Sequence, residues 1–397
     1  MMKDLDTVLS SNARNMKRSA IRDLLKVTSI PGMISFAGGF PDPNTFPVTQ
    51  LKNIMQEVLD EDSFSALQYG ATEGVNRLRE ALAIRYQKEG LNVTKENFLI
   101  TTSSQQAIDL VSKVFLDPKD TLVCGLPSYL GALQSFFAYQ ACPIGIRKDE
   151  ELDVVVRALI ASGKKPKFIY AIPDFQNPSG ITMNKQQRLE VIEVAKKHDL
   201  LIVEDSPYRE IRFEGKSETM MYALDDSNRV ITLGTFSKIF VPGFRLGWVI
   251  AHPSILDKFV VAKQATDLCA PVFDQCVAAR YVERGYLDQN IKTTISNYRN
   301  KRDSMLAAFE KYMPQGVSWT KPEGGLFLFM TLPEQYDALD LFNLAIKENV
   351  AFVTGESFHC DGTGKNTLRI NFSYMPEDRA EEGVKRLAAA IKKLMEN

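Results

Sequence analysis

Histidine is scarce in this chain of 397 residues, and the three that occur, His198, His252 and His359, lie far apart. This scatter argues against a metal site, and it indicates that a residue other than histidine would serve as a general base. The five cysteines are an odd number and form no C-x-x-C pair. The cysteine pattern therefore argues against both a disulfide framework and a structural zinc site.

Long apolar runs and an excess of one charge are also absent. No apolar run approaches the roughly 20 residues that a membrane span needs, and the N-terminal stretch has no apolar core like that of a signal peptide. The net charge is −1, which provides no overall attraction to nucleic acid or to an anionic membrane. We therefore expect a cytoplasmic protein without a nucleic-acid or membrane partner.

Short apolar runs alternate with amphipathic stretches in the middle of the chain, from about residue 50 to 290. Apolar residues at helical spacing follow the apolar run at 97–102 and precede the run at 200–205. Near-continuously apolar strands between helices are typical of a largely parallel sheet covered on both faces. The predicted strands are 97–102, 121–126, 167–173, 200–205, 229–235 and 246–252.

The C-terminal part has a different pattern, with a long helix, a strand hairpin, a second helix, a strand and a terminal helix. We therefore predict a large domain at 49–290 and a smaller α+β domain at 291–397, as the length of the chain favours about two or three domains. Residues 1–48 end in an irregular stretch rich in glycine and proline. This segment could belong to either domain, and we describe it as an N-terminal arm with part of the smaller domain.

Polar side chains follow several predicted strands, where open α/β sheets bind their ligands. Ser103 or Ser104 could cap a helix whose first-turn N–H groups bind an anion, or could be a plain cap. Tyr129 could stack on a planar ring, or be an ordinary core or surface tyrosine. Asn177 begins an Asn-Pro-Ser-Gly turn, and its amide could donate to a ligand oxygen or serve only the turn.

An acidic residue ends the most apolar of these strands. Asp205 follows "LLIVE", and a carboxylate buried at such a position needs a cationic partner. A protonated pyridine nitrogen would provide that partner. Tyr208, three residues later, could reach the same ligand.

A lysine follows the next strand in the stretch "TFSKIFVPGFR". Thr235 and Ser237 offer hydroxyl groups, and Arg245 offers a guanidinium group suited to phosphate. Lys238, if partly desolvated beside another cation, would have a lowered pKa and would react with carbonyls. These strand ends together fit one ligand, pyridoxal 5′-phosphate, which requires a Schiff-base lysine and an acid for its ring nitrogen.

The order Ser-Gln, Tyr, Asn-Pro-x-Gly, Asp-x-x-Tyr, Ser-x-Lys, Arg, Arg resembles that of the fold-type I, class I and II aminotransferases over nearly the whole chain. Closer features are similar to the α-aminoadipate and kynurenine aminotransferase branch, among them "ISFAGGFPDPNTFP", "LQYGATEG", "VEDSPYRE" and "LRINFSY". The resemblance implies an α/β fold, with a mostly parallel seven-stranded sheet flanked by helices and a smaller α+β domain. It also implies a homodimer that shares its active sites.

The resemblance implies a role for each matching residue. Lys238 forms the Schiff base and carries the proton, Asp205 keeps the ring nitrogen protonated, Asn177 and Tyr208 donate to the ring hydroxyl oxygen, and Tyr129 stacks on the ring. The implied phosphate-binding residues are Ser104, Gln105, Thr235, Ser237 and Arg245, with Tyr69 reaching the partner's phosphate. The implied substrate-binding residues are Arg369, Asn177, the backbone at Gly39, and Arg22 for an acidic side chain.

Three positions depart from the family pattern. Ser103 stands where a glycine is usual in the phosphate loop, Phe40 replaces a leucine near the side-chain pocket, and Pro207 replaces an alanine. We expect none of them to prevent cofactor binding, whereas Phe40 makes the substrate harder to predict.

The implied function is a pyridoxal-phosphate aminotransferase. It would move an amino group from an L-amino acid of the 2-aminoadipate, aromatic or branched-chain class to a 2-oxo acid such as 2-oxoglutarate. The alternatives are a β-lyase, racemase or decarboxylase with the same cofactor, and the effector-binding half of a transcription regulator. A carboxylate clamp at Arg369 disfavours decarboxylation. A regulator would carry an N-terminal winged helix, for which we expect no room before an arm that begins near residue 10.

Overall fold

The computed structural model describes residues 7–15 and 31–396. The strands are β1 (Ile34–Ser35), β2 (Phe98–Thr101), β3 (Thr121–Gly125), β4 (Cys142–Ile146), β5 (Phe168–Ala171), β6 (Leu201–Asp205), β7 (Val230–Thr235), β8 (Gly247–Ile250), β9 (Ser318–Trp319), β10 (Phe327–Thr331), β11 (Val350–Ala351), β12 (Val353–Thr354) and β13 (Thr367–Asn371). The α-helices are α1 (Ser11–Asn15), α2 (Val48–Ala66), α3 (Asn76–Lys88), α4 (Ser103–Phe115), α5 (Leu130–Ala138), α6 (Leu152–Ala161), α7 (Lys185–His198), α8 (Met221–Leu224), α9 (Pro253–Gln264), α10 (Val272–Glu283), α11 (Tyr286–Tyr312), α12 (Ala338–Lys347) and α13 (Glu377–Glu396).

Seven strands form the large sheet, in the order β2-β8-β7-β6-β5-β3-β4. The pairs among β3, β4, β5, β6 and β7 are parallel, whereas β8 runs antiparallel to β2 and β7. The predicted mostly parallel sheet and its six strands are confirmed, with ends that differ by a few residues at most. The edge strand β4, "CPIGI", was missed because proline and glycine interrupt the apolar pattern there, as an edge tolerates.

Both faces of this sheet are buried. Successive residues of one strand enter different apolar clusters, with Val203 in the larger cluster and Ile202 in the other. Helix α4 packs against β7 and β8, and α7 packs against β5 and β6. The continuous apolar strands of the sequence follow from this covering of both faces.

The C-terminal part forms a four-stranded antiparallel sheet in the order β12-β13-β10-β9. Helix α13 packs against α11 and α12. The short strands β1 and β11 pair in parallel, which joins the segment before residue 48 to the C-terminal part. In the described ranges no helix is both long and apolar enough to cross a membrane.

A buried ion pair holds the N-terminal loop in place. Lys301 on α11 lies 2.5 Å from the Asp42 carboxylate, and the Tyr298 hydroxyl accepts a hydrogen bond from the Asp42 N–H at 2.8 Å. The Ser373 hydroxyl donates to the carbonyl oxygen of Phe40 at 2.8 Å. These contacts fix the glycine-rich loop at 38–40 against the carboxyl ends of the large sheet, where Lys238 contacts it.

Candidate active site

The carboxyl end of β6 carries Asp205, which is almost completely buried. The Tyr170 hydroxyl donates to Asp205 Oδ2 at 2.6 Å, while Oδ1 has no hydrogen-bond partner in the part of the chain that the structure describes. Burial raises the pKa of Asp205 to about 7, against the opposing effect of the Tyr170 hydrogen bond. One carboxylate oxygen is therefore available to a donor that residues 7–15 and 31–396 do not supply. Tyr170 was missed because a tyrosine inside an apolar strand reads as core.

Lys238 lies just beyond β7, and its Nζ donates to the carbonyl oxygen of Gly39 at 2.9 Å. Burial lowers the pKa of Lys238 to about 8, and the positive charges of Arg369 and Arg245 lower it further. The structure therefore buries this lysine near two arginines, as the sequence predicted. A large fraction of the amine is neutral near pH 8, as a nucleophile or general base requires.

Arg369 enters the same pocket from β13 of the C-terminal sheet. Its Nη1 donates to Asn177 Oδ1 at 2.9 Å and its Nη2 to the Ala37 carbonyl oxygen at 2.7 Å. Nε has no partner. The Asn177 amide also lies 3.4 Å from the hydroxyl oxygen of buried Tyr208. Residues far apart in sequence thus form one connected polar group.

Two aromatic rings flank the Arg369 guanidinium group. The ring centres of Phe327 and Phe358 lie 4.2 and 5.1 Å from its central carbon. Burial lowers the pKa of Arg369 to about 10, and the negative faces of the two rings favour the cation. Neither phenylalanine could be found from the sequence, because each looks like an ordinary core residue.

The start of α4 and the segment after β7 meet beside this pocket. The Thr235 hydroxyl donates to Ser237 Oγ at 2.9 Å, and both residues are buried. Arg245 Nη2 donates to Ser103 Oγ at 2.7 Å. A Cβ on Gly247 would lie 2.7 Å from the Ser104 nitrogen, so glycine is needed for this close approach.

Ser103 has a backbone conformation that suits glycine. Its φ is +64°, in the left-handed region, and its Oγ lies 3.4 Å from the Gln105 N–H. The N-cap position of α4 is Thr102, without a side-chain capping bond, so neither predicted serine occupies it, and Ser103 is the first residue of the helix. The Ser103 hydroxyl accepts a hydrogen bond from Arg245.

Tyr129 lies at the start of α5, with its ring against Gly131. Its hydroxyl donates to Gln105 Oε1 at 3.2 Å, and Gln105 Nε2 donates to the Gly131 carbonyl oxygen at 2.9 Å. Burial raises the pKa of Tyr129 to about 12, so the hydroxyl stays protonated at neutral pH. The α4 and α5 starts are thereby held together.

Three predicted residues lie apart from this group or beyond the structure. Tyr69 is 79% exposed. Phe40 is 45% exposed and packs edge-on against Tyr374. Arg22 lies outside the described residues.

The chemistry of the site is that of a receptor for a planar, anionic, carbonyl-bearing group. The charges of Arg369 and Arg245 act on Lys238, and the charges of these two arginines and of the buried carboxylate of Asp205 all act on Tyr129. The free Oδ1 of that carboxylate suits a cationic ring nitrogen, and the neutral amine suits a carbonyl carbon. Arg245, with the N–H groups of the α4 start, suits a phosphate.

Several known proteins that match this chain in sequence and structure are named as aminotransferases. The family model described as aminotransferase class I and II matches residues 33–387. The aromatic-amino-acid aminotransferase 1 of Thermococcus litoralis is 45% identical, covering 99% of this chain and 96% of its own length. The 2-aminoadipate transaminase of Thermus thermophilus is 38% identical, covering 96% of both chains.

A solved structure of Pyrococcus horikoshii kynurenine aminotransferase, in complex with PMP, matches with a TM-score of 0.95. It is 45% identical and covers 98% of both chains. The resemblance to the α-aminoadipate and kynurenine branch, and the fold that it implied, are thereby confirmed.

Proposed function

Because the chain belongs to the class I and II aminotransferases, we propose that it transfers the amino group of an L-amino acid to a 2-oxo acid with pyridoxal 5′-phosphate as cofactor. The observation that carries the cofactor assignment is the partnerless Oδ1 of buried Asp205, in the pocket that also holds Lys238. The PMP in the Pyrococcus horikoshii structure supports the same cofactor.

The residues of this chain divide the work of the reaction. When bound, pyridoxal phosphate supplies an aldehyde that receives the amino group and a ring that withdraws electrons from the substrate Cα. Asp205 would hold the proton on the ring nitrogen, and Asn177 and Tyr208 would donate to the ring hydroxyl oxygen. Arg369 binds the substrate α-carboxylate in two-point contact, which fixes the Cα next to Lys238.

Lys238 is the general base. Its Nζ takes the proton from the substrate Cα, which a neutral amine does and an ammonium group cannot. The lowered pKa of about 8 provides the neutral form under ordinary conditions. The scarcity of histidine in the sequence agrees with a lysine in this role.

We propose Ser104, Gln105, Thr235, Ser237 and Arg245 as the phosphate-binding residues, with Tyr129 stacked on the ring. Arg245 and the buried Thr235–Ser237 pair support this assignment through their positions beside the α4 start. Gly39 contributes its backbone to the substrate site, because its carbonyl oxygen already contacts Lys238. Arg22 remains a predicted contact for acidic substrates.

The donors that we propose are L-amino acids of the 2-aminoadipate, aromatic or branched-chain class, with 2-oxoglutarate as the acceptor. The names of the relatives from Thermus thermophilus and Thermococcus litoralis support the first two classes. Phe40 follows directly on Gly39 and is half exposed, so it suits a side-chain contact that accepts more than one substrate.

We also propose a homodimer in which Tyr69 reaches the phosphate of the partner subunit. Near the end of α2, Phe64 is 97% exposed and Leu67 69% exposed, and Tyr69 follows at 79%. Such a group of large apolar side chains on the surface is typical of a protein interface. The cytoplasmic location and the domain limits at 1–48, 49–290 and 291–397 remain predictions.

The test is the visible absorbance of the purified protein, titrated with single amino acids in the absence of any oxo acid. We expect the band of the lysine-bound cofactor to convert to the band of the aminated cofactor with each true donor. Lys238→Ala should lack the first band, and Lys216→Ala, at an exposed position, should keep it. A persistent band with accumulating pyruvate and ammonia would instead identify a lyase.

A further inference from the structure

Two cysteines from opposite parts of the fold meet beside the active site. Cys124 is buried in β3 of the large sheet, and Cys360 is half-buried in the loop before β13. The largest cause of the pKa shift of each thiol is a hydrogen-bond interaction with the other. The 235 residues that separate them, and their different sheets, hid this pair from any spacing pattern in the sequence.

The backbone fixes the contact. Cys124 pairs in register with Gly145 of the neighbouring strand β4. A Cβ on Gly145 would lie 3.1 Å from Cys360 Sγ, so the Cys360 side chain rests on that glycine. The N–H of Ser128 donates to the Phe358 carbonyl oxygen at 2.7 Å, which ties the two loops together. Cys360 is therefore held next to Cys124 by a backbone hydrogen bond and by the lack of a side chain at Gly145.

We propose that Cys124 and Cys360 form a redox modification site, which closes into a reversible disulfide between the large sheet and the C-terminal part. The bond joins two segments that bear active-site residues. Tyr129 lies five residues after Cys124, and Phe358, which packs on Arg369, lies two residues before Cys360. Transient disulfides of this kind occur in proteins of reducing compartments, where structural disulfides are rare.

The oxidant is a low-molecular-weight disulfide such as oxidised glutathione. The Cys360 thiolate attacks one sulfur of the oxidant, which releases one thiolate and leaves a mixed disulfide on Cys360. Cys124 then loses its proton and attacks the Cys360 sulfur, which expels the second thiolate. Two cysteine thiols become one disulfide, and the oxidant is reduced to two thiols.

Cys360 suits the first step. The hydrogen bond from Cys124 lowers the pKa of Cys360, and this residue is the more exposed of the two. The hydrogen bond with Cys360, together with burial, raises the pKa of Cys124 well above its ordinary value. Cys124 therefore acts second, on the sulfur atom of its neighbour Cys360.

The test is treatment of the folded, cofactor-loaded enzyme with oxidised glutathione, followed by denaturation and a count of free thiols. We expect the loss of two of the five thiols, a fall in intact mass of about 2 Da, and a crosslinked peptide containing both residues. The midpoint of thermal unfolding should rise by several degrees, since the bond closes a long loop. Reduction should reverse all of these changes.

The variants separate this site from other oxidation. Cys360→Ser should keep its four remaining thiols through the treatment, whereas Cys142→Ser, which removes an exposed thiol, should still lose two. If Cys124→Ser does not fold, the Cys360 variant still decides the outcome. An unchanged thiol count, an increase in mass from glutathione adducts alone, or a crosslink that forms only in unfolded protein would overturn the proposal.

Discussion

Replacing Asp205 with asparagine should stabilise the cofactor-free protein while it weakens the enzyme. Burial raises the pKa of this carboxyl group from 3.8 to about 7. Above pH 7 the ionised carboxylate therefore costs about 4 kcal/mol of folding free energy, at about 1.4 kcal/mol for each pKa unit. Asparagine carries no charge, and its amide oxygen can still accept the hydrogen bond from Tyr170.

The sign of the pH dependence follows from proton binding. Between pH 4 and 7 the folded state holds a proton on Asp205 that the unfolded state has released, so wild-type stability falls with rising pH. The advantage of Asp205→Asn should grow across this window and level off above pH 7. At roughly 2 °C per kcal/mol for a chain of this size, and with some loss for the new amide, we expect about 5 °C at pH 8.

The assay is thermal unfolding of cofactor-stripped protein from pH 4 to 8.5, with Asp149→Asn as the control at an exposed position. Addition of pyridoxal phosphate should reverse the order, because the wild-type carboxylate then pairs with a cationic nitrogen. An Asp205→Asn protein that melts at or below the wild-type temperature at pH 8, without cofactor, would refute this account of the buried carboxylate.

Three further outcomes follow from the site. The rate at which cofactor-free enzyme captures pyridoxal phosphate should rise about tenfold per pH unit below pH 8 and level off above it, because only the neutral Lys238 amine reacts. Stopped-flow absorbance measures this rate, and a rate that does not change with pH would contradict the role of the neutral amine. Arg369→Lys should lower kcat/KM about 100-fold, mainly through KM for the amino acid, since an ammonium group cannot replace the two-point contact. Unchanged steady-state kinetics would show that Arg369 does not bind the substrate α-carboxylate. Ser103→Gly should weaken cofactor binding about tenfold, because Arg245 loses an acceptor, while the unfolding temperature stays equal or rises, since φ of +64° suits glycine. Titration of the cofactor band measures the affinity, and a tighter complex would contradict the role of the hydroxyl group.

Much of this site could be predicted because its residues follow strands in a parallel sheet. The carboxyl ends of β5, β6 and β7 meet at one edge, so residues just after them must be neighbours. Asn177, Asp205 and Lys238 were found in this way, and the burial of the Asp205 strand predicted the need for a cation. Arg369 came from resemblance alone, since nothing in local spacing connects β13 to that edge.

Other contacts depend on how distant segments pack. Tyr170, Phe327 and Phe358 look like core residues in the sequence, and only the folded chain shows that they contact Asp205 or Arg369. The edge strand β4 was missed because proline and glycine break its pattern. The left-handed backbone of Ser103 was not predicted, although the glycine that is usual at this position in the family is the signal for such a conformation.

The sequence by itself determined the wound α/β architecture and the polar residues that follow successive strands, because both depend on short-range periodicity. It also determined the chemistry of the lysine, because burying a charge is costly. The tertiary structure alone decided the values on which the chemistry depends. The pKa of Lys238 is about 8 because the fold buries its amine and brings Arg369 close to it, in addition to the nearby Arg245. Among the described residues, Tyr170 donates to one oxygen of Asp205 and nothing donates to the other. The contact between Cys124 and Cys360 has the same origin, since desolvation and proximity depend on the whole fold.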